Sequence, residues 1–137
     1  MNARMAIVPA FLPPQSAMKA IFEVPVTILF AVPAIFSYLI GAVKRGSFLK
    51  EGLSRTKLMI SGGDRLNPNL HEQALQLVGK DIMEGYGLTE TSPVVVVNCS
   101  YATHRTGTVG FFIGGYETTS PARFRWPDYV GSPHYIF

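Results

Sequence analysis

At 137 residues the chain has the length of one domain, enough for a modest core. Apolar residues make up 47% and charged residues only 15%, against about a quarter in most domains, so solvated surface is scarce, as in a piece of a larger protein. The net charge of +3 is spread without a basic run, which argues against nucleic acid, and the single Cys99 excludes an internal disulfide and fits a reducing compartment.

Taken in order, Ala6-Ile-Val8 is a short apolar run of strand type, ended by Pro9 and Pro13-Pro14. Pro14 suits the first position of a helix, and Ala17, Met18, Ile21 and Phe22 then recur at helical spacing. Val26 to Val32 is a continuous apolar, β-branched run, which predicts a strand buried on both faces of a parallel sheet. Ala34 to Val43 predicts a helix with Ile35, Tyr38, Leu39 and Ala42 on one side. Leu58-Met-Ile60 predicts the next strand, running into Ser61-Gly-Gly-Asp-Arg65. Asn67 caps the helix that follows, Pro68 fits its first turn, and Gly79 ends it. Its apolar stripe is Leu70, Ala74, Leu75, Leu77 and Val78. Asp81 to Met83 leads into a glycine-rich motif, and Val94 to Val97 predicts another strand. Gly107 to Glu117 alternates and is rich in glycine, as suits an exposed or antiparallel strand. Beyond Glu117 no period is visible, and residues 118–137 read as an irregular tail.

Alternating strands and helices of this kind predict an α/β fold, a partial sheet of mostly parallel strands with flanking helices in βαβ repeats. Ligands in such sheets lie beyond the carboxyl ends of the strands, where Ser61-Gly-Gly63 and Gly85-Tyr-Gly87 both fall. A second reading attaches to Pro25–Val43, nineteen residues without a charge and followed by Lys44-Arg45, which resembles a short membrane span. Pro33 would fall in the middle of that helix, so a strand and a helix meeting at the proline account better for the same residues.

The motif is Glu84-Gly-Tyr-Gly-Leu-Thr-Glu-Thr-Ser-Pro93. Gly85 and Gly87 let a ligand approach the main chain, and Tyr86 offers a flat ring with a polar tip. Thr89 can donate to a phosphate oxygen, and Glu90 can hold a hard cation such as Mg2+. Glycine-x-glycine beside an aromatic also occurs in ordinary turns. As a whole, the ten residues resemble the tyrosine-glycine-x-threonine-glutamate signature of the adenylate-forming (AMP-binding) superfamily, of the fatty acyl-CoA and acyl-carrier-protein synthetase type. Val26 to Pro33, Ile60 to Leu66 and Gly107 to Glu117 are similar to further segments of that family in the same order, so the resemblance covers about Ala3 to Glu117.

The resemblance implies an ATP-dependent ligase. A carboxylic acid attacks the α-phosphate of ATP to give acyl-AMP, and the thiol of coenzyme A or of an acyl carrier protein then displaces AMP. It implies Thr89 on the α-phosphate, Glu90 on Mg2+, Tyr86 stacked on adenine with Gly85 and Gly87 beside it, and Gly62, Gly63 and Asp64 on the opposite wall. Val32 and Phe36 are the weaker candidates for contact with the acyl chain. A cytoplasmic location follows, with peripheral membrane contact left open. The family's lysine-ended phosphate loop, its ribose-binding aspartate, its hinge arginine and its small C-terminal domain have no counterpart in the 137 residues. The expectation is therefore a partial AMP-binding domain at residues 1–117, inactive as a separate chain; a non-catalytic nucleotide-binding or docking module is the other reading.

The remaining chemistry-bearing residues read blandly. His71 falls on the polar side of its helix, as a surface residue would. His104 and His134 sit in loops without partners at metal-ligand spacing, so no metal role is expected of them. Cys99 follows an apolar strand and reads as a small buried residue.

Overall fold

The structure is a computed structural model, and it describes residues 6, 15–46, 49–91, 94–98, 100–102, 104–112 and 124–125. The expected strand at 6–8 apart from Ala6, the prolines before the first helix, Ser92, Pro93, Cys99, His134 and most of the tail lie outside that set.

Helix α1 (Gln15–Glu23) precedes strand β1 (Ile28–Ala31), helix α2 (Pro33–Lys44), helix α3 (Leu49–Arg55) and strand β2 (Leu58–Ser61). Helix α4 (Pro68–Val78), strand β3 (Met83–Tyr86), a 3-10 turn (Thr89–Thr91) and strands β4 (Val96–Val97), β5 (Thr108–Phe112) and β6 (Phe124–Arg125) follow. The six strands form one sheet in sequence order. β1, β2 and β3 pair in parallel, with Phe30 beside Ile60 and Ile60 beside Met83. β4, β5 and β6 continue the sheet with antiparallel pairings. The α/β architecture with flanking helices is therefore present, and its parallel part carries the crossovers through α2, α3 and α4.

The charge-free segment divides where the proline requires it. β1 ends at Ala31 and α2 begins at Pro33, whose missing N–H is an orphan position of the first turn. Among the described residues no helix is long and apolar enough to cross a membrane, so the spanning alternative is set aside.

The core lies between the sheet and α2, α3 and α4, around Phe36, Leu39, Ile40, Leu53, Met59, Leu66, Leu70, Ala74 and Ile82. Among the described residues β1 is covered on one face only, which corrects the expectation of a doubly buried strand. Leu29 and Ala31 pack on the core, whereas Ile28 and Phe30 point outward, Phe30 at 69% exposure. The buried residues of α2 are Phe36, Leu39, Ile40, Ala42 and Val43; Leu39 and Ala42 are as expected and Ile35 packs partly against the core, whereas Tyr38 is exposed. A helix this uniformly apolar offers several equivalent faces, and only contact with the sheet chooses among them. Phe36, weakly linked to an acyl chain above, is fully buried in this core.

α4 is capped as expected: the Asn67 side chain accepts from the Asn69 N–H at 2.9 Å, and Gly79 closes the helix in the left-handed conformation. Its buried stripe is Leu70, His71, Ala74 and Val78, while Leu75 is 58% exposed. Helix α3 has no counterpart in the sequence reading. It is seven residues long and contains Gly52, a poor helix former. At that glycine a Cβ would stand 3.1 Å from the Ile21 carbonyl oxygen, a tight contact that the bare backbone avoids where α3 lies against α1.

Candidate functional site

The residues singled out from the sequence fall in two adjoining segments at the carboxyl ends of β2 and β3. Gly62 and Gly63 follow β2, and the Gly62 N–H donates to Ala31 O at 3.3 Å, which carries the parallel pairing one step beyond the strands. A Cβ on Gly62 would stand 3.5 Å from Gly85 O, so the serine-glycine-glycine loop and the glycine-tyrosine-glycine segment touch. A Cβ on Gly63 would meet Val32 Cγ1 at 3.5 Å, which brings the end of β1 to the same place. Asp64 is exposed, and its Oδ1 accepts the Arg65 N–H at 2.7 Å.

Glu84, Gly85 and Tyr86 are strand residues of β3, and Tyr86 is half-buried. The backbone of Tyr86 is tied down by the Val95 N–H, which donates to its carbonyl at 2.9 Å. After Gly87 the chain turns through Thr89–Thr91. Thr91 closes that turn, accepting the Leu88 N–H at 3.0 Å and donating its hydroxyl to Leu88 O at 2.9 Å. Thr89 and Glu90 are exposed on the turn that Thr91 holds. A cleft of about 330 Å³ opens nearby between the first turns of α2 and α4, lined among others by Pro33, Ser37, Arg65 and Gln73. None of the glycines, Tyr86, Thr89 or Glu90 lines it.

Two buried side chains that sequence reasoning passed over organise this region. Glu84 is 1% exposed, and its Oε1 accepts the Leu66 N–H at 3.1 Å, fixing the loop after β2 to β3. Asn98 is buried and donates its Nδ2 to Thr108 O at 2.6 Å, while its backbone N–H donates to Glu84 O at 3.1 Å. The signal for Glu84 was its place within an otherwise apolar strand, where a carboxylate must be partnered.

The histidine readings need correction. His71 is buried, not on the surface, and its Nδ1 lies 2.5 Å from Asp81 Oδ1. Its Nε2 stands 3.6 Å from Glu84 Oε2, an ion-pair but not a hydrogen-bond distance. His104 also has a partner: its Nδ1 lies 3.2 Å from Asp81 Oδ2. The two imidazole rings stack with centroids 5.8 Å apart. Burial by itself lowers the His71 pKa, but the Asp81 and Glu84 carboxylates outweigh it and raise the group to about 9. Burial pushes the Asp81 carboxyl up, yet His104 and His71 hold it well below the usual carboxylate range. Burial raises the Tyr101 phenol, which donates to Asp81 O at 3.2 Å and accepts the Met59 N–H at 3.3 Å. Spacing along the chain hid this group because its members come from α4, the segment before β3 and the loop after β4.

A family model described as AMP-binding enzyme matches residues 2–119. The long-chain-fatty-acid–CoA ligase of Yersinia pestis is 31% identical over 93 residues, covering 68% of this chain and 16% of that ligase. The chain thus spans about a sixth of that relative's length. Among solved structures, a malonyl-CoA ligase in ternary product complex with methylmalonyl-CoA and AMP superposes with a TM-score of 0.64 at 26% identity, over 72% of this chain and 21% of that one. The apo form of MatB from Rhodopseudomonas palustris gives a TM-score of 0.60 at 26% identity, over 74% and 19% of the respective chains.

Proposed function

The chain belongs to the AMP-binding enzyme family, and on that footing we propose that it supplies the adenine and cation side of a site that forms an acyl-adenylate. The observation that carries this reading is the contact of Gly62 with Gly85 at the ends of adjacent parallel strands, which joins the two motif segments into one surface. In this reading Tyr86 stacks on adenine, with Gly85 and Gly87 admitting the ligand to the backbone. Gly62, Gly63 and Asp64 form the facing wall, and Thr89 donates to the α-phosphate.

Glu90 is the residue for Mg2+. It is a single exposed carboxylate on a turn whose hydrogen bonds Thr91 supplies. That suits Mg2+, which keeps several waters and takes one or two carboxylates together with substrate phosphates. Bound there, the ion would neutralise phosphate charge, while Thr89 and the glycine backbone orient the nucleotide.

The reaction class is acid–thiol ligation. A carboxylate oxygen attacks the α-phosphorus of ATP and expels pyrophosphate, and a thiol sulfur then attacks the acyl carbon and expels AMP. The matched long-chain-fatty-acid–CoA ligase supports a fatty acid and coenzyme A as substrates, and an acyl carrier protein is the other thiol acceptor of this chemistry. We place the family portion at residues 1–117, with 118–137 as a tail outside it. These 137 residues supply the adenine and cation side without a lysine-ended phosphate loop, and inactivity of the separate polypeptide in acid activation is part of the proposal.

Calorimetric titration of Mg2+-AMP into the chain and into Glu90→Ala tests the site. Weaker binding by the variant supports it, and equal binding removes Glu90 from the reading. ATP–pyrophosphate exchange with fatty acids of graded length tests the catalytic statement; robust exchange by this chain alone would overturn the claim of inactivity.

A further inference from the structure

We propose that His71, Asp81 and His104 form a binding site for a transition-metal dication of the zinc class, separate from the nucleotide surface. Three elements converge there: α4 carries His71, Asp81 stands just before β3, and His104 lies in the loop between β4 and β5. One ligand atom from each falls within 4.8 Å of the others. Both imidazoles aim Nδ1 at the same carboxylate, one at each oxygen, at 2.5 and 3.2 Å. Around a tetrahedral zinc with bonds of about 2.0 Å, ligand atoms sit roughly 3.3 Å apart. Seating the ion therefore requires opening the 2.5 Å contact and drawing any pair near the 4.8 Å limit about 1.5 Å closer together.

The chemistry of the donors selects the ion. Two imidazoles and a carboxylate suit zinc, cobalt, nickel or copper, whereas Mg2+ and Ca2+ prefer all-oxygen sets. Both histidine side chains are more than nine-tenths buried, and the Nε2 atoms of both are buried without a hydrogen-bond partner. A metal on Nδ1 fixes the ring proton on Nε2, and for His71 that N–H points toward the Glu84 carboxylate 3.6 Å away. This is the outer arrangement that commonly orients a metal-bound histidine. The charges of Asp81 and Glu84 together balance a dication. Tyr101 pins the neighbouring loop to the Asp81 backbone, and the Asp81 side chain, at 19% exposure, leaves a route for entry and a fourth position for water.

The test is titration of the chelator-treated full chain with Co2+, followed by displacement with Zn2+. The expected result is saturation at one equivalent with visible absorption of low-coordinate cobalt, bleached by zinc. His104→Gln and Asp81→Asn each weaken binding at least about tenfold, whereas Glu51→Gln, exposed on α3, leaves it unchanged. Long-range proton–nitrogen NMR of the unmodified chain gives a readout that needs no variant to fold. Zinc should convert His71 and His104 to the Nε2–H form and leave His134 as it was. No saturable binding, unaltered affinity in a folded His104→Gln, or a zinc response confined to His134 would each overturn the site.

Discussion

Glu84 and Leu66 are 18 residues apart in the chain, yet Oε1 of the first accepts the N–H of the second at 3.1 Å, with both side chains buried. This bond holds the loop after β2 against β3 and so sets the spacing between the two motif segments. Glu84→Ala leaves a buried N–H unpaired and removes one carboxylate from His71, for a loss of about 1–3 kcal/mol. Glu84→Gln keeps an acceptor for Leu66 and should cost less. Urea unfolding of the two variants decides; equal losses would show that the hydrogen bond to Leu66 is not what matters.

Gly110 has a φ of 101°, and a Cβ there would lie 2.2 Å from Val97 O. That contact is with backbone of the neighbouring strand and cannot be relieved by a rotamer change. Gly110→Ala should therefore part β4 from β5 and destabilise the chain by at least about 2 kcal/mol. A urea midpoint within error of the unmodified protein would contradict the described pairing.

Stability should also depend on pH through His71. Its folded pKa of about 9 lies above the free value of about 6.5. The contribution is thus complete below about pH 6.5 and is lost as pH rises toward 9, on the order of 3 kcal/mol at most. Of the groups around it, Asp81 is held low and stays ionised over that window, and the Tyr101 phenol is raised and stays neutral. In chelator, the urea midpoint should fall between pH 6.5 and 9. His71→Asn should flatten that slope, and a slope that persists in the variant would assign it elsewhere.

Phe30 and Phe36 test which apolar residues hold the fold. Phe36 is fully buried, so Phe36→Ala should cost about 3–5 kcal/mol. Phe30 points away from the core, and Phe30→Ser should change stability by less than about 0.5 kcal/mol. Thermal unfolding of both separates the two faces of β1 and α2. A large loss for Phe30→Ser would mean that the outer face of β1 is covered in solution.

The sequence by itself determined the family and every helix flanking the sheet except α3. Pro33 placed the strand–helix boundary, Asn67 and Gly79 bounded α4, and Glu84 to Pro93 pointed to the family. These signals are local: a proline without an N–H, a capping side chain and a run of motif residues act within a few positions. Tertiary structure alone decided which face of each helix is buried, that the outer face of β1 is uncovered, and that α3 forms around Gly52. It alone brought His71 in from the surface and set it and the loop residue His104 on one carboxylate. The reason is physical: a buried ion needs its counter-charge within a few ångströms in space, and chain spacing carries no record of that distance.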